Sequence, residues 1–485
     1  MAVAVAGSRY QMLIGGEWRE ADGGRTFAVR NPATGEHLGD VPDGDLAQVR
    51  QAVEAAHAAF PAWSRLPADQ RAALLRKAAS IMRERQEELA RLLTQENGKP
   101  LSESRGEVAT SAAFLDWNAE EARRVYGDVV PSAAADKRVL VLRQPVGVVA
   151  AITPWNFPLS MPARKVAPAL AAGCTVVLRP PRATPLVAIE TFRILHEAGF
   201  PKGVANIITG TNSAEAGREL AEHPLVRKLT FTGSTEVGKQ LMRYAAGTMK
   251  RVSFELGGHA PFIVFDDADL EKAAQAVIVS RFRNAGQTCI CSNRLFVQRG
   301  VAEQVARRVA ELAANLKVGN GLDTDTQVGP LIDERGYVKV DQHVRDAVEK
   351  GAAVLAGGRR VSPDHLAGHF YAPTVLGNVS TDMLVMREET FGPVLPVMPF
   401  DTEEEAIRLA NDTPFGLAAY FFTRDIGRGF RVAEGLEYGI IGLNDPLPTG
   451  PHIPFGGFKE SGIGRENGAE GIHHFVEVKA LSIGL

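Results

Sequence analysis

The chain has 485 residues, a formal net charge of −3 and 45% hydrophobic residues. This length exceeds one hydrophobic core, so we expect two large domains or one elaborated α/β unit. The nearly balanced charge, without a long basic run, argues against a nucleic-acid-binding protein. Three cysteines cannot form a disulfide framework and no run of 18 apolar residues occurs, so we expect a cytoplasmic protein, neither secreted nor membrane-spanning.

Two different patterns occupy the N-terminal quarter of the chain. Residues 10–41 alternate short strand-like pieces with turn dipeptides such as Gly15-Gly16, which predicts hairpins on the surface of a domain. In residues 45–125, apolar positions such as Val49, Val53 and Ala56 recur at helical spacing with charges between them. This second pattern predicts a series of amphipathic helices.

From Val146 onward, apolar β-branched runs alternate with helical segments. Strands are predicted at 146–152, 175–178, 204–208 and 229–231, with a helix near 185–197, and a second α/β series follows over 261–422. Such alternation indicates a parallel sheet that is covered on both faces.

A cysteine and a glutamate stand out in the middle of the chain. Cys289 ends the segment FRNAGQTC, whose glycine-containing turn could expose the sulfur, and Glu255 lies upstream in the segment FELGG. Burial beside Phe254 and Leu256 would raise the pKa of the Glu255 carboxyl toward neutrality, as a general base requires. The two residues indicate a nucleophile and a base, with an inert buried cysteine and a salt-bridged glutamate as the structural alternatives.

Together with TPWNFP at 153–158 and EETFGP at 388–393, these segments closely resemble the aldehyde dehydrogenase superfamily, in the same order and over essentially the whole chain. The resemblance implies an α/β fold in which residues 1–130 and 146–258 form a Rossmann-type dinucleotide domain. Residues 259–469 would form an α/β catalytic domain that partly returns to the cofactor domain. Residues 131–145 and 470–485 would form a small oligomerisation hairpin, which implies a homodimer or homotetramer.

The resemblance assigns a covalent mechanism to these residues. A hydride leaves an aldehyde only from a tetrahedral carbon, so Cys289 would first form a thiohemiacetal and then a thioester. Asn156 would hold the oxyanion, with a simple turn residue as the alternative, and Glu255 would activate the hydrolytic water. Relatives that transfer the acyl group to coenzyme A generally lack this base, so hydrolysis is favoured.

The cofactor that the resemblance implies is NADP or NAD, with no metal. The segment GSTEVG, which begins at Gly233, follows a predicted strand and opens a helix, so Ser234 and the first amides could face a pyrophosphate. A plain helix cap is the alternative. Thr153 and Trp155 are also assigned to the cofactor by the family motif.

Four further residues are assigned to the cofactor. Glu389 resembles the residue that holds the nicotinamide ribose, and Phe391 resembles the one that flanks the ring. Relatives usually have Lys-Pro-x-Glu after the strand at 175–178, where this chain has Arg179 and Arg182. Arg182 could pair with a 2′-phosphate that a glutamate would repel, which tilts the prediction toward NADP.

The closest resemblance is to the succinate semialdehyde dehydrogenase branch. Arg164 and Arg283 match the branch's carboxylate-binding arginines, so the substrate would be an aldehyde with a remote anion. Thr449, which could take the hydroxyl role of a serine in that pocket, and His452, which departs from the branch pattern, are also predicted to bind the substrate. Glutarate semialdehyde, 2-oxoglutarate semialdehyde and sulfolactaldehyde therefore remain open, as does an arginine that only bridges to an acid.

The sequence thus predicts NAD(P)-dependent oxidation of an anionic semialdehyde to its acid. A catalytically silent relative and a cysteine hydrolase are the alternatives from other classes. The first would have lost Cys289, Glu255 or Asn156, and the second would need a nucleophile elbow that this sequence lacks. Cys291, two residues after the nucleophile, suggests a reversible disulfide, with a packing role as the alternative.

Overall fold

The computed structural model describes residues 8–363 and 366–485. Two large, mainly parallel sheets of eight and seven strands form its centre, and apolar clusters pack both faces of each. Inner strands such as Val148–Ile152 and Ala418–Phe422 are buried along their whole length, as their continuous apolar runs require. The predicted α/β fold is confirmed. Among helices of the described residues, none has the length and apolar character that crossing a membrane requires.

The eight-stranded sheet has a doubly wound centre. In spatial order its strands are Gly462–Ile463, Arg251–Glu255, Val226–Thr232, Val148–Ile152, Thr175–Arg179, Ala205–Ile207, Met12–Ile14 and Glu17–Arg19. The strands from Arg251–Glu255 to Ala205–Ile207 are parallel, in agreement with the predicted positions. Chain order reverses between Val148–Ile152 and Val226–Thr232, and such a reversal opens a crevice at the carboxyl ends of the strands.

The first hairpin differs from its prediction. Met12–Ile14 and Glu17–Arg19 pair across the predicted turn, where Gly15 and Gly16 have φ of 63° and 83°. However, Met12–Ile14 also pairs with Ala205–Ile207 and is buried. Because three consecutive apolar residues bury both faces of a strand, this hairpin extends the main sheet instead of lying on the surface. A second hairpin pairs Thr26–Arg30 with His37–Pro42, beside the short strand Ser8–Arg9.

Helices cover both faces of this sheet. The predicted amphipathic series is confirmed as Leu46–Ser64, Ala68–Glu84, Gln86–Asn97 and Leu101–Glu121. The crossover helices are Ser160–Ala172, Leu186–Ala198, Ser213–Glu222 and Thr235–Ala246, of which Leu186–Ala198 was predicted near 185–197. Short 3-10 turns occupy Asp22–Gly24 and Ala122–Arg124.

The seven-stranded sheet forms the second α/β unit. Its strands in spatial order are Ala353–Ala356, Thr374–Gly377, Val394–Phe400, Ser292–Gln298, Ala260–Val264, Ala418–Phe422 and Ile440–Leu443. Its helices are Leu270–Phe282, Arg299–Ala314, Glu334–Glu349, Leu384–Arg387, Glu403–Asn411 and Ile426–Gly435. Smaller elements are the strand pairs Arg360–Val361 with Phe370–Tyr371 and Phe415–Gly416 with Phe458–Lys459, and the helix Glu470–His473.

A separate three-stranded sheet joins distant parts of the chain. Lys137–Pro145 pairs antiparallel with Val476–Gly484 on one side and with Asp128–Val130 on the other. The predicted pairing of the hairpin region with the C-terminal segment is therefore confirmed within one chain. This sheet leaves large apolar side chains in solvent, since Val129 is 77% exposed and Val478 is 64% exposed.

Candidate active site

Predicted site residues meet at the crevice of the eight-stranded sheet. Thr153 follows the strand Val148–Ile152, Gly233 follows Val226–Thr232, and Glu255 is the last residue of Arg251–Glu255. Because the carboxyl ends of parallel strands share one edge of a sheet, the fold brings these residues together from distant positions in the sequence.

The nucleophile follows a left-handed turn in the backbone. In the 3-10 segment Arg283–Gly286, Asn284, Ala285 and Gly286 have φ of 49°, 55° and 73°. Left-handed backbone costs a residue with a Cβ about 1 kcal/mol or more, so the surroundings must hold this turn in place. Gly286 is required for a second reason, because a Cβ there would lie 2.3 Å from the Gly392 carbonyl oxygen.

Gln287 is the main clamp on this turn. Its Nε2 donates to the Asn284 carbonyl at 3.0 Å and to the Pro330 carbonyl at 3.2 Å, and its Oε1 accepts from the Ile332 N–H at 2.9 Å. The side chain is buried, so these bonds are shielded from competition with water. The motif residue Gln287 therefore fixes the backbone from which the nucleophile projects.

Cys289 is half-buried and contacts a cavity, but its thiol is not pre-ionised. Burial and the negative charges of Glu389 and Glu255 raise the pKa of the Cys289 thiol to about 12, against a smaller lowering by Arg164. The thiol must therefore lose its proton to a base when it attacks. Gly258 lies against this residue, because a Cβ at Gly258 would be 2.3 Å from the Cys289 carbonyl oxygen.

Arg281, which stands close to the nucleophile in sequence, faces away from it. Its Nη1 donates to the Cys291 sulfur at 2.9 Å and to Asn293 Oδ1 at 2.8 Å, and its Nη2 donates to the Gly392 carbonyl. The positive field of Arg281 therefore falls on Cys291. Cys291 is buried and also contacts the Gly286 carbonyl, and its proposed disulfide with Cys289 stays a prediction.

Asn156 is held beside the nucleophile turn. Its carbonyl accepts from Lys99 Nζ at 2.7 Å and from Asn284 Nδ2 at 2.9 Å, and its own Nδ2 donates to the Gln287 carbonyl at 3.0 Å. One N–H of that amide is left for another acceptor. Within the described residues, the Cys289 N–H makes no hydrogen bond either. This arrangement supports the predicted pair of oxyanion donors.

Glu255 is almost completely buried, and the described residues give neither of its carboxyl oxygens a hydrogen bond. Burial, followed by the negative charge of Glu466, raises the pKa of Glu255 well above its usual value. The salt-bridge alternative does not apply to Glu255, because Lys165 and Arg164 pair with Glu466 instead. The carboxyl is therefore kept unpaired, as a proton acceptor for water requires.

Sequence reasoning missed the buried pair of Lys165 and Glu466. Lys165 Nζ donates to Glu466 Oε1. Burial would raise the pKa of Glu466, but the charges of Lys165 and Arg164 lower it. A signal was present, because Lys165 lies in the fully buried helix Ser160–Ala172, where a charge needs a partner. The partner lies 301 positions away, so its identity could not be read from local sequence.

The crevice fits a dinucleotide. Thr153 Oγ1 is buried without a hydrogen bond from the described residues, and Glu389 Oε1 accepts from the Gly258 N–H at 3.0 Å. Burial raises the pKa of Glu389 to about 7. Trp155 and Phe391 stand edge to face with ring centroids 5.5 Å apart. Within the described residues, no three His, Cys, Asp or Glu side chains gather as a metal site.

The phosphate-binding prediction falls on a capped helix start. Ser234 is the N-cap of the helix Thr235–Ala246 and accepts from the Val237 N–H at 3.4 Å. Ser234 is exposed, and Gly233 is half-buried just before it. The first amides of this helix therefore face the crevice edge, where an anion is favoured by the helix dipole.

The two arginines after the strand Thr175–Arg179 have different environments. Arg179 is buried, and its Nη2 donates to the Gly210 carbonyl at 3.0 Å and to Ser213 Oγ at 2.7 Å. Burial lowers the pKa of Arg179 to about 10. Arg182 is exposed beside it. The Arg179 guanidinium is thus occupied by hydrogen bonds to Gly210 and Ser213, whereas the Arg182 guanidinium is exposed and open to a ligand.

A cavity of about 550 Å³ contains the nucleophile and most of the predicted substrate residues. Cys289, Arg164, Arg283 and Thr449 line it, as the sequence predicted. His452 does not line it, because this side chain is exposed with its ring 6.2 Å from that of Trp117. We refer to this space below as the nucleophile cavity.

The two cavity arginines keep donors available. Arg164 is buried and stacks on Phe455 at 3.9 Å; its Nη2 lies 2.9 Å from Glu466 Oε2, but the orientation makes no hydrogen bond. Arg283 is half-buried over the Phe157 ring at 5.4 Å, and the described residues form no salt bridge with it. Two cations therefore face one cavity without a full set of partners.

The fold and the site define an oxidoreductase, and the chain belongs to the aldehyde dehydrogenase family, whose model matches residues 18–481. It is 52% identical to a glutarate-semialdehyde dehydrogenase of Pseudomonas putida, with 98% of each chain covered. It is 51% identical to the NADP(+) succinate-semialdehyde dehydrogenase GabD of Escherichia coli, again over 98% of each. A solved structure of an NADP-dependent enzyme of E. coli matches with a TM-score of 0.96 and 51% identity, covering 98% of both chains. Enzymes of this family use NAD(P).

Proposed function

We propose that the protein oxidises an anionic semialdehyde, either succinate semialdehyde or a close analogue, to its carboxylic acid with NADP or NAD. The observation that carries this proposal is the nucleophile cavity, in which Cys289 shares one space with Arg164 and Arg283. Guanidinium groups bind carboxylates through paired donors, so they would hold the remote anion while the aldehyde meets the sulfur.

Attack by Cys289 begins the reaction. Since burial keeps the thiol protonated, its proton passes to a nearby carboxylate as the sulfur adds to the aldehyde carbon. The Cys289 N–H and the Asn156 amide then hold the oxygen of the thiohemiacetal, and one such donor is typically worth about 2.7 to 4 kcal/mol. Thr153, Trp155, Glu389 and Phe391 would hold the nicotinamide cofactor, which would supply the hydride acceptor, so that Cys289 would then carry a thioester.

Hydrolysis completes the reaction. Glu255, which is buried and receives no hydrogen bond from the described residues, takes a proton from the water that attacks the thioester, and the acid leaves the regenerated sulfur. A silent structural relative is disfavoured by the presence of this whole set. We therefore propose a non-acylating enzyme, in which the acyl group passes to water and not to coenzyme A.

The test of this function is a substrate panel. We expect kcat/KM to be highest for one of the C3 to C5 aldehydes with a terminal carboxylate or sulfonate, measured as absorbance growth at 340 nm. Glutarate semialdehyde is the second candidate substrate, because a relative of 52% identity carries that name. Equal kcat/KM for a neutral aldehyde of the same length would overturn the proposal.

Leucine at Arg164 or Arg283 should remove the preference for anions. We expect a loss of about 1.5 to 3 kcal/mol in kcat/KM for the anionic aldehyde, mainly through KM, and a smaller loss for a neutral aldehyde. Arg335→Leu is a matched control, since Arg335 is exposed on the helix Glu334–Glu349. Equal losses on both substrates would show that these arginines do not bind the anion.

We also propose that the enzyme favours NADP over NAD through Arg182. Arg182 is exposed at the end of the strand Thr175–Arg179, where a 2′-phosphate can pair with its fork of donors. We expect Arg182→Glu to move the ratio of kcat/KM toward NAD by about tenfold. A wild-type preference for NAD that the substitution leaves unchanged would contradict this role.

A homo-oligomer, either dimer or tetramer, is the proposed assembly. The three-stranded sheet supports it, because Val129 and Val478 are largely exposed there. Apolar side chains clustered on one exposed sheet are typical of a surface that another subunit covers.

A further inference from the structure

Glu103, with Glu107, is one of the two acids among the described residues that line the nucleophile cavity. It lies in the first turn of the helix Leu101–Glu121, is half-buried, and lines the nucleophile cavity together with Arg283. Its Oε2 accepts from the Asn284 N–H at 2.9 Å, across 181 positions of sequence. None of the chemical steps above uses this side chain.

The bond to Asn284 reaches the most constrained part of the site. Asn284 opens the left-handed stretch that precedes the nucleophile, with φ of 49°. Its Nδ2 donates to the Asn156 carbonyl at 2.9 Å and to the Gln287 carbonyl at 3.4 Å. Glu103 therefore holds the residue that ties the oxyanion donor Asn156 to the nucleophile turn.

The negative charge of Glu103 interacts with the positive charge of Arg283, the second arginine of the nucleophile cavity. The charged groups around it are Lys99 from the preceding loop, Glu107 one turn further along the helix, and Arg283 from the nucleophile turn. Lys99 pairs with Glu107 at 2.6 Å, which leaves Glu103 as the acid that offsets Arg283. Burial raises the pKa of Glu103 to about 7, against the effects of Lys99 and Arg283, so its charge varies near neutral pH.

We propose that Glu103 is a positioning and specificity-determining residue, which fixes the nucleophile turn through Asn284 and restricts the cavity to singly charged aldehydes. Two guanidinium groups alone would also attract a dianion, such as a phosphate-bearing aldehyde. The Glu103 carboxylate, which lines the same cavity as Arg283, repels the second negative charge, while a single carboxylate or sulfonate still pairs with the guanidinium donors of Arg164 and Arg283. This inference rests on the proposed binding of anionic aldehydes.

The test compares Glu103→Gln and Glu103→Ala on three aldehydes of similar length: succinate semialdehyde, the dianion glyceraldehyde 3-phosphate, and a neutral aldehyde. Glutamine keeps an acceptor for the Asn284 N–H but removes the charge. We expect Glu103→Gln to lower KM for the dianion about tenfold and for the monoanion about threefold. In wild type, KM for the monoanion should rise with pH through neutrality as Glu103 ionises, and this rise should disappear in Glu103→Gln.

Alanine removes the acceptor as well as the charge. We expect Glu103→Ala to lower kcat about tenfold on all three aldehydes, and glutamine to restore most of that loss. Glu120→Gln makes the same chemical change at the other end of the helix, in a surface pair with Arg76, and serves as the control. Wild-type kcat in Glu103→Ala would overturn the positioning role.

The outcomes separate this inference from the proposed function. If wild type prefers anionic aldehydes but Glu103→Gln keeps the wild-type ratio of KM between dianion and monoanion, the specificity role of Glu103 is wrong and the proposed function stands. If wild type shows no preference for anionic over neutral aldehydes, the proposed function fails and the specificity role fails with it.

Discussion

The Cys289→Ala variant should lose aldehyde oxidation almost completely. The hydride can leave only after a nucleophile has converted the carbonyl carbon to a tetrahedral one. Among the described residues that line the nucleophile cavity, Cys289 is the only cysteine. We expect kcat to fall by at least ~10⁴-fold, as removal of a covalent nucleophile does in other enzymes. The measurement is absorbance growth at 340 nm with saturating aldehyde and cofactor.

Two controls make this result specific. Cofactor binding, measured by fluorescence titration, should stay near the wild-type value, because the crevice residues such as Thr153 and Glu389 are untouched. Cys174→Ala provides a matched cysteine substitution, since Cys174 is buried in the first α/β unit and contacts the Phe475 carbonyl. Substantial turnover in Cys289→Ala would show that the reaction does not pass through a thioester on this residue.

The sequence predicted the parts of the site that local motifs carry. Strand ends, glycine turns and the nucleophile segment each occupy a short stretch, and the crossover topology then places Thr153, Gly233 and Glu255 at one crevice. The family resemblance supplied the roles of these residues, which strand and helix patterns alone do not give. Here local pattern and global fold agree, so the sequence predicted which segments meet at the crevice, while the catalytic and binding roles of their residues stay predictions.

The parts that sequence reasoning missed depend on long-range contacts of charged side chains. Arg281 is two positions from Arg283, yet its guanidinium donates to the Cys291 sulfur while Arg283 lines the nucleophile cavity. Arg179 bonds Ser213 inside the fold, which its place at a strand end does not reveal. A charged side chain in the interior pairs with whichever partner the tertiary structure brings near, so two arginines only two positions apart can have different surroundings.

The buried charges around Glu466 and Glu255 also explain how the site carries out two proton transfers, one from the Cys289 thiol and one from water. Glu466 pairs with the two cations that would otherwise pair with Glu255, so Glu255 stays buried without a hydrogen-bond partner among the described residues. Burial disfavours its charged form and raises the pKa of Glu255, and the ionised fraction is therefore a stronger base toward water. Burial, followed by the negative charge of Glu389, likewise raises the pKa of the Cys289 thiol and keeps it protonated until attack.

Glu255→Gln should separate the two halves of the reaction. Glutamine preserves the size of the side chain but cannot accept a proton from water, so hydrolysis of the thioester should slow about 100-fold while the first hydride transfer continues. We expect a rapid burst of reduced cofactor near one equivalent per site, followed by slow turnover, in stopped-flow absorbance at 340 nm.

In wild type, steady-state turnover should rise with pH, because burial and Glu466 raise the pKa of Glu255 and only its ionised form accepts a proton. In Glu255→Gln this rise of turnover with pH should disappear. Full turnover of the variant at every pH would show that another group is the base.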